Sequence, residues 1–183
     1  MTFAEFGLQL AAVETARDEA LIARYAGDPA ASERVLRAAC DQLRAVGETG
    51  ALSVEVGELA EALYELGRYD EADEANRESA SLAQAADVAT QVVSRRVRAK
   101  LLARAGERDQ ALRFAHEAIE WAGARPEELG DAYRDLAEVE QLVGHAHRAE
   151  EALERALAAY EQKGMVPMAE RTHRQLAELR GNR

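Results

Sequence analysis

Apolar residues recur at helical spacing along nearly the whole chain. Leu59, Leu63 and Leu66 share one face, as do Leu136, Val139 and Leu142 further on, while Ala111, Ala115 and Ala118 and then Ala149, Leu153 and Ala156 repeat the pattern with smaller side chains. No run of β-branched residues alternates for long enough to propose a strand. The periodicity predicts nine helices, over about 3–26, 30–46, 52–66, 70–84, 88–105, 108–122, 127–143, 147–162 and 167–180.

The breaks between these stretches are themselves regular. Gly27, Gly67, Gly106 and Gly144 stand 40, 39 and 38 residues apart, each closing one amphipathic stretch. Glycine supplies the left-handed conformation that ends a helix without a Cβ clash. Short polar residues or proline follow, suited to opening the next helix. The pattern predicts helix hairpins over about 3–46, 52–84, 88–122 and 127–162 in one domain spanning 1–183, closed by an amphipathic capping helix at 167–180.

The core Gly67, Tyr69 and Ala72, preceded by Leu59, Ala60 and Leu63, resembles the tetratricopeptide repeat (TPR). Ala60, Ala99 and Ala137 match that family's small position on the first helix, and Ala72, Ala111 and Ala149 the small position on the second. Departures are Ser79 at the later alanine position, Arg108 and Ala146 in place of Tyr69, Arg98 in place of Leu59, and a longer period. The resemblance implies an all-α fold, a right-handed superhelix of antiparallel hairpins whose first helices line a concave groove. Several strings, among them Leu59-Ala60-Glu61-Ala62-Leu63-Tyr64 and Asp135-Leu136-Ala137-Glu138-Val139, are also similar to TPR-like tails of actinobacterial cyclases and transcription regulators. That likeness implies a bacterial, signal-sensing regulatory module as an alternative role.

Composition agrees with packed helices. Alanine accounts for 40 residues and aromatics for only 5%, so helix axes can approach closely. A formal net charge of -11 argues against nucleic acid or an anionic membrane surface as the partner. Cys40 is the only cysteine, so no internal disulfide forms, and the start Met1-Thr2-Phe3 shows no leader pattern; a cytoplasmic protein is expected.

One segment departs from the acidic average. Between Val88 and Arg104 there are five basic residues and no acidic one, and Arg96, Lys100 and Arg104 are spaced by four on one helix face. The TPR register implies that this stripe faces the groove. It is a candidate site for an acidic peptide or a protein partner, with Arg134 and Tyr64 as further candidate contacts. The alternative is that the stripe neutralises acids on neighbouring first helices such as Glu61, Glu65 and Glu138. The paired asparagines and lysines of a chaperone-tail clamp are missing, since Asn76 and Asn182 lie off the first helices.

No residues stand out for catalysis or cofactor binding. His145 and His147 fall in a turn without further metal ligands, Cys40 has no base partner in the sequence, and Glu127-Glu128 suits a helix start. The expectation is a scaffold that holds a partner protein, not an enzyme, with no cofactor or metal and with self-association as a homodimer as a further alternative.

Overall fold

A computed structural model describes residues 3–181, with the side chains of residue 13 and of 15–181. Met1, Thr2, Asn182 and Arg183 lie outside the described residues. Among the described residues the chain forms helices α1 (Phe3–Tyr25), α2 (Pro29–Val46), α3 (Thr49–Glu65), α4 (Tyr69–Leu82), α5 (Val88–Arg104), α6 (Arg108–Ala122), α7 (Pro126–Leu142), α8 (Ala146–Lys163) and α9 (Val166–Gly181), and no strand. The contacts gather them into two compact units, Met1–Gln84 with α1–α4 and Ala85–Arg183 with α5–α9.

The repeat punctuation has the geometry expected of it. Gly27, Gly67, Gly106 and Gly144 have φ of 86°, 75°, 83° and 90°. At Gly67 the amide bonds back to the Tyr64 carbonyl at 2.9 Å and the next amide, of Arg68, reaches the Leu63 carbonyl at 3.0 Å. This double bond pattern satisfies carbonyls that the helix end would otherwise leave open. Helix starts differ most from expectation at α3, which opens at Thr49 rather than 52. The Glu48 carboxylate accepts from the amides of Gly50 and Ala51 at 3.2 and 2.5 Å, so the helix is capped three residues earlier.

In the first unit α2 packs on α1 and α3, and α3 on α4. Ala60 and Ala72, one from each helix of the α3–α4 hairpin, are both fully buried. Ser79, at the position where the family has alanine, is also fully buried, and its hydroxyl donates to the Ser53 carbonyl at 2.7 Å. The hydroxyl is therefore tolerated inside the hairpin because it has a backbone acceptor.

In the second unit α7 is the central element, in contact with α5, α6 and α8, and α9 closes on α8. Its core joins Ala99, Ala111, Leu136, Ala137, Val139, Ala149 and Leu153, with Leu176 of α9 packed onto it. α8 approaches α7 closely at Gly130, where a Cβ would lie 2.5 Å from the buried Tyr160 ring. The Tyr160 hydroxyl then donates to Asp131 at 2.5 Å. α9 acts on the second unit as the predicted closing helix, through Met168, Thr172 and Leu176 on its buried face.

Candidate functional site

The basic stripe on α5 is real as a stripe but is mostly internal. Arg96 and Lys100 are 3% and 1% exposed, and Arg134 of α7 is 6% exposed. Arg96 Nε donates to Asp135 Oδ2 at 2.8 Å and its Nη1 lies 3.3 Å from Asp131; Lys100 Nζ lies 3.3 Å from Asp135, as does Arg134 Nη2. Only Arg104, with 37% of its side chain exposed and 3.5 Å from Glu138, presents a guanidinium to solvent. Tyr64 is buried, with its ring 5.3 Å from that of Tyr69.

In this arrangement the stripe meets carboxylates of α7, a neighbouring first helix. Glu138 pairs with Arg104, and Asp131 and Asp135 on α7 stand beside Arg96 and Lys100. Glu61 lies in the first unit, 3.6 Å from Arg24. Asp131 and Asp135 carried a usable signal: they stand four apart on a first helix, the same spacing as Arg96 and Lys100.

The first unit has its own buried ion layer. Arg24 of α1, 1% exposed, lies 3.3 Å from Glu58, and Arg17 Nε donates to Glu55 Oε1 at 2.6 Å. Burial pushes the Glu55 carboxyl up to about 7, against the opposing pull of Arg17. Desolvation prevails because Glu55 is fully buried while Arg17 remains 31% exposed.

Each unit also carries a cleft between successive second helices, floored by the first helix between them. In the first unit it lies between α2 and α4 over Leu59 and Leu63 of α3, with a volume of about 170 Å³. In the second it lies between α6 and α8 over Tyr133 and Leu136 of α7, with a volume of about 510 Å³. Ion pairs cross the smaller cleft. Arg44 Nη2 reaches Glu78 Oε2 at 2.8 Å, Arg37 lies 3.6 Å from Glu71, and Arg68 reaches Glu33 at 3.2 Å. The Glu78 hydrogen bond raises the pKa of Arg44.

Counting from the turn glycines shows why the larger cleft lacks such pairs. Glu71 and Glu78 stand four and eleven residues after Gly67; Arg148 and Arg155 hold those places after Gly144. Arg37 and Arg44 stand ten and seventeen after Gly27; His116 and Gly123 hold those places after Gly106. The carboxylates of one rim have become arginines, and the facing arginines have become an imidazole and a glycine. Arg155 is held over the Tyr133 ring at 5.6 Å and donates to its hydroxyl at 3.3 Å.

The remaining titratable residues have local accounts. Cys40 is fully buried, which pushes its thiol up to about 12, far from a reactive thiolate. His145 occupies the position before α8 without a side-chain capping bond, and its Nδ1 lies 2.7 Å from Glu140 Oε2. Among the described residues no group of three or more His, Cys, Asp or Glu side chains is placed to hold a metal ion, and no helix is long and apolar enough to cross a membrane.

No protein-family model matches the sequence, and no curated protein does. Solved structures do match in fold. A kinesin-light-chain-like protein of Podosopora anserina with nearly identical TPR-like repeats is 16% identical, with a TM-score of 0.53 over 93% of this chain and 95% of that one. BtubC (BKLC) from P. vanneervenii is 17% identical, with a TM-score of 0.55 over 100% of this chain and 92% of that one. The fold of this chain is all-α and TPR-like, an array of helix hairpins.

Proposed function

We propose that this chain is a protein-interaction scaffold that holds a segment of a partner protein against its helix hairpins. The observation that carries the reading is the open cleft of about 510 Å³ between α6 and α8, with an apolar floor and a charged rim. Interaction surfaces combine an apolar centre with a polar edge in this way. The closest acid–base contact in its wall, Glu140 with His145 at 2.7 Å, joins the end of α7 to the cap of α8 and so has a structural role. Binding, rather than catalysis, is therefore the function assigned.

Of the candidate contacts read from the sequence, Arg104 has the most exposed side chain, which supports it as a contact for an acidic partner. Arg96, Lys100, Arg134 and Tyr64 act behind the surface, fixing α5, α7 and the α3–α4 hairpin.

The test compares capture from a lysate of the native host by the wild-type chain and by His116→Trp/Glu151→Trp, two exposed lining positions where indole rings would fill the cleft. Circular dichroism checks that both fold alike. Proteins recovered by the wild type and lost with the filled variant support the scaffold reading. Identical recovery by both overturns the cleft as the docking surface.

A further inference from the structure

The two clefts are one repeat position built twice, and their difference specifies what the second one lacks. Leu59 and Leu136 stand eight residues before their turn glycines, and Ala75 and Ala152 eight after. Both pairs line their respective clefts, so these floor and wall positions correspond, while Leu63 of the first floor is replaced by Glu140, which His145 holds at 2.7 Å. In the first unit the rim is closed from within by carboxylates of α4 meeting arginines of α2. In the second the α8 rim presents Arg148 and Arg155 instead, and the equivalent α6 positions offer no carboxylate to them.

Acidic side chains do line the second cleft, but they do not close it. Glu120 and Glu151 stand where Asp41 and Glu74 stand in the first unit, so they do not account for the difference. The Tyr133 hydrogen bond raises the pKa of Arg155, with a smaller push from Glu151, yet among the described residues no carboxylate comes within ion-pair distance of Arg148 or Arg155. Arg155 is preorganised by its stacking on Tyr133, which leaves the rest of its guanidinium fork for a ligand oxygen. The lining adds Ile119 of α6 with Leu136 and Tyr133 of α7, an apolar patch at the base of the cleft.

We propose that the α6–α7–α8 cleft docks an acidic peptide segment with an apolar anchor residue, its carboxylates meeting Arg148 and Arg155 and its anchor resting on Ile119, Leu136 and Tyr133. The partner supplies in trans the carboxylates that α4 supplies in cis across the first cleft. The inference rests on the scaffold reading above and names the partner's chemistry at the same site. Charge complementarity aligns it, because two arginines seven residues apart on the α8 rim hold an acidic strand along the cleft. The overall charge of -11 repels such a segment elsewhere on the chain, so local attraction confers selectivity.

The experiment selects peptides from a randomised phage-displayed library on the wild-type chain, in parallel with three variants. Arg148→Glu and Arg148→Glu/Arg155→Glu reverse the rim. His116→Glu restores a carboxylate opposite Arg148, mirroring the Arg37–Glu71 pair with its sign exchanged. Thermal melts confirm that each variant folds, and Arg148→Glu alone serves if loss of the Tyr133 stack unfolds the double variant. The expected result is enrichment of Asp and Glu flanking a large apolar residue on the wild type only. Fluorescence anisotropy of the leading peptide should then show at least about tenfold weaker binding to each variant, and weaker binding at high salt. Enrichment of basic peptides, or of the same peptides on all four proteins, overturns the proposal, and so does no enrichment. In those cases a lysate partner still lost with the filled cleft leaves the scaffold reading standing, whereas unchanged lysate capture removes both.

Discussion

The two units place their ion pairs differently on the same hairpin plan. In the first, a ladder of arginine–glutamate pairs runs along the outside between α2 and α4, and Glu55 is buried beside a half-exposed Arg17. In the second, the outer rim carries no such ladder, while Arg96, Lys100, Asp131 and Asp135 are all nearly inaccessible. Outer pairs between exposed groups add little stability, but they decide whether a surface is already occupied. Inner pairs cannot be removed singly without stranding a charge. Stability and availability are thus set in different layers, and substitutions in each layer should separate them.

The largest effect is expected where the inner layer of the second unit is broken. Asp135→Ala removes the carboxylate that lies 2.8 Å from Arg96 and 3.3 Å from Lys100, leaving two buried cations short of their counter-charge. The loss should be about 3–5 kcal/mol, read by urea denaturation. A loss below about 1 kcal/mol would mean that the inner pairs behave like the outer ones, and the contrast between layers would fail.

Next comes the pH response of the first unit. Below about 4.5, the ordinary range of the carboxyl, Glu55 is protonated in both folded and unfolded chains and costs nothing. Between there and about 7 the folded chain holds a proton that the unfolded chain has released. Above about 7 both are ionised, and the folded state bears the full cost of the buried charge. The Glu55 contribution therefore lowers stability as pH rises through that window, by roughly 3 kcal/mol at its end. Glu55→Gln should remove this slope, measured as the difference between wild-type and variant denaturation midpoints from acid to mildly alkaline pH. Parallel profiles would show that Arg17 compensates the carboxyl fully.

How much of this the sequence reveals follows from how local each feature is. The hairpins are legible because a turn glycine with positive φ, such as Gly67, and a buried small residue such as Ala72 act within a few positions of each other. The Arg96, Lys100 and Arg104 stripe is legible as a face, since spacing of four is a property of one helix. Its carboxylates are not, because choosing Asp131 and Asp135 requires the axial register of α5 against α7, which side-chain packing fixes. Burial likewise turns candidate contacts such as Lys100 and Tyr64 into interior groups. The open cleft sits between these cases. Its sign change, Glu71 and Glu78 to Arg148 and Arg155, is visible in aligned repeats, but its meaning depends on knowing that Arg37 and Arg44 face the first pair.

The smallest effect tests the outer ladder itself. Arg44 and Glu78 form a two-pronged contact at 2.8–2.9 Å, yet their side chains are 41% and 38% exposed. Water and salt therefore screen the attraction, and fixing two long side chains opposes it. Arg44→Ala, Glu78→Ala and the double variant should give a coupling energy below about 1 kcal/mol in a double-mutant cycle, shrinking further at high salt. The geometric consequence should be larger than the energetic one, since the severed rim leaves Leu59 and Leu63 more open to solvent. Binding of an apolar fluorescent dye to the double variant should rise even though its denaturation midpoint barely moves. A coupling of about 3 kcal/mol or more would instead make the ladder a structural element, and the unstitched α6–α8 rim would then need another source of stability.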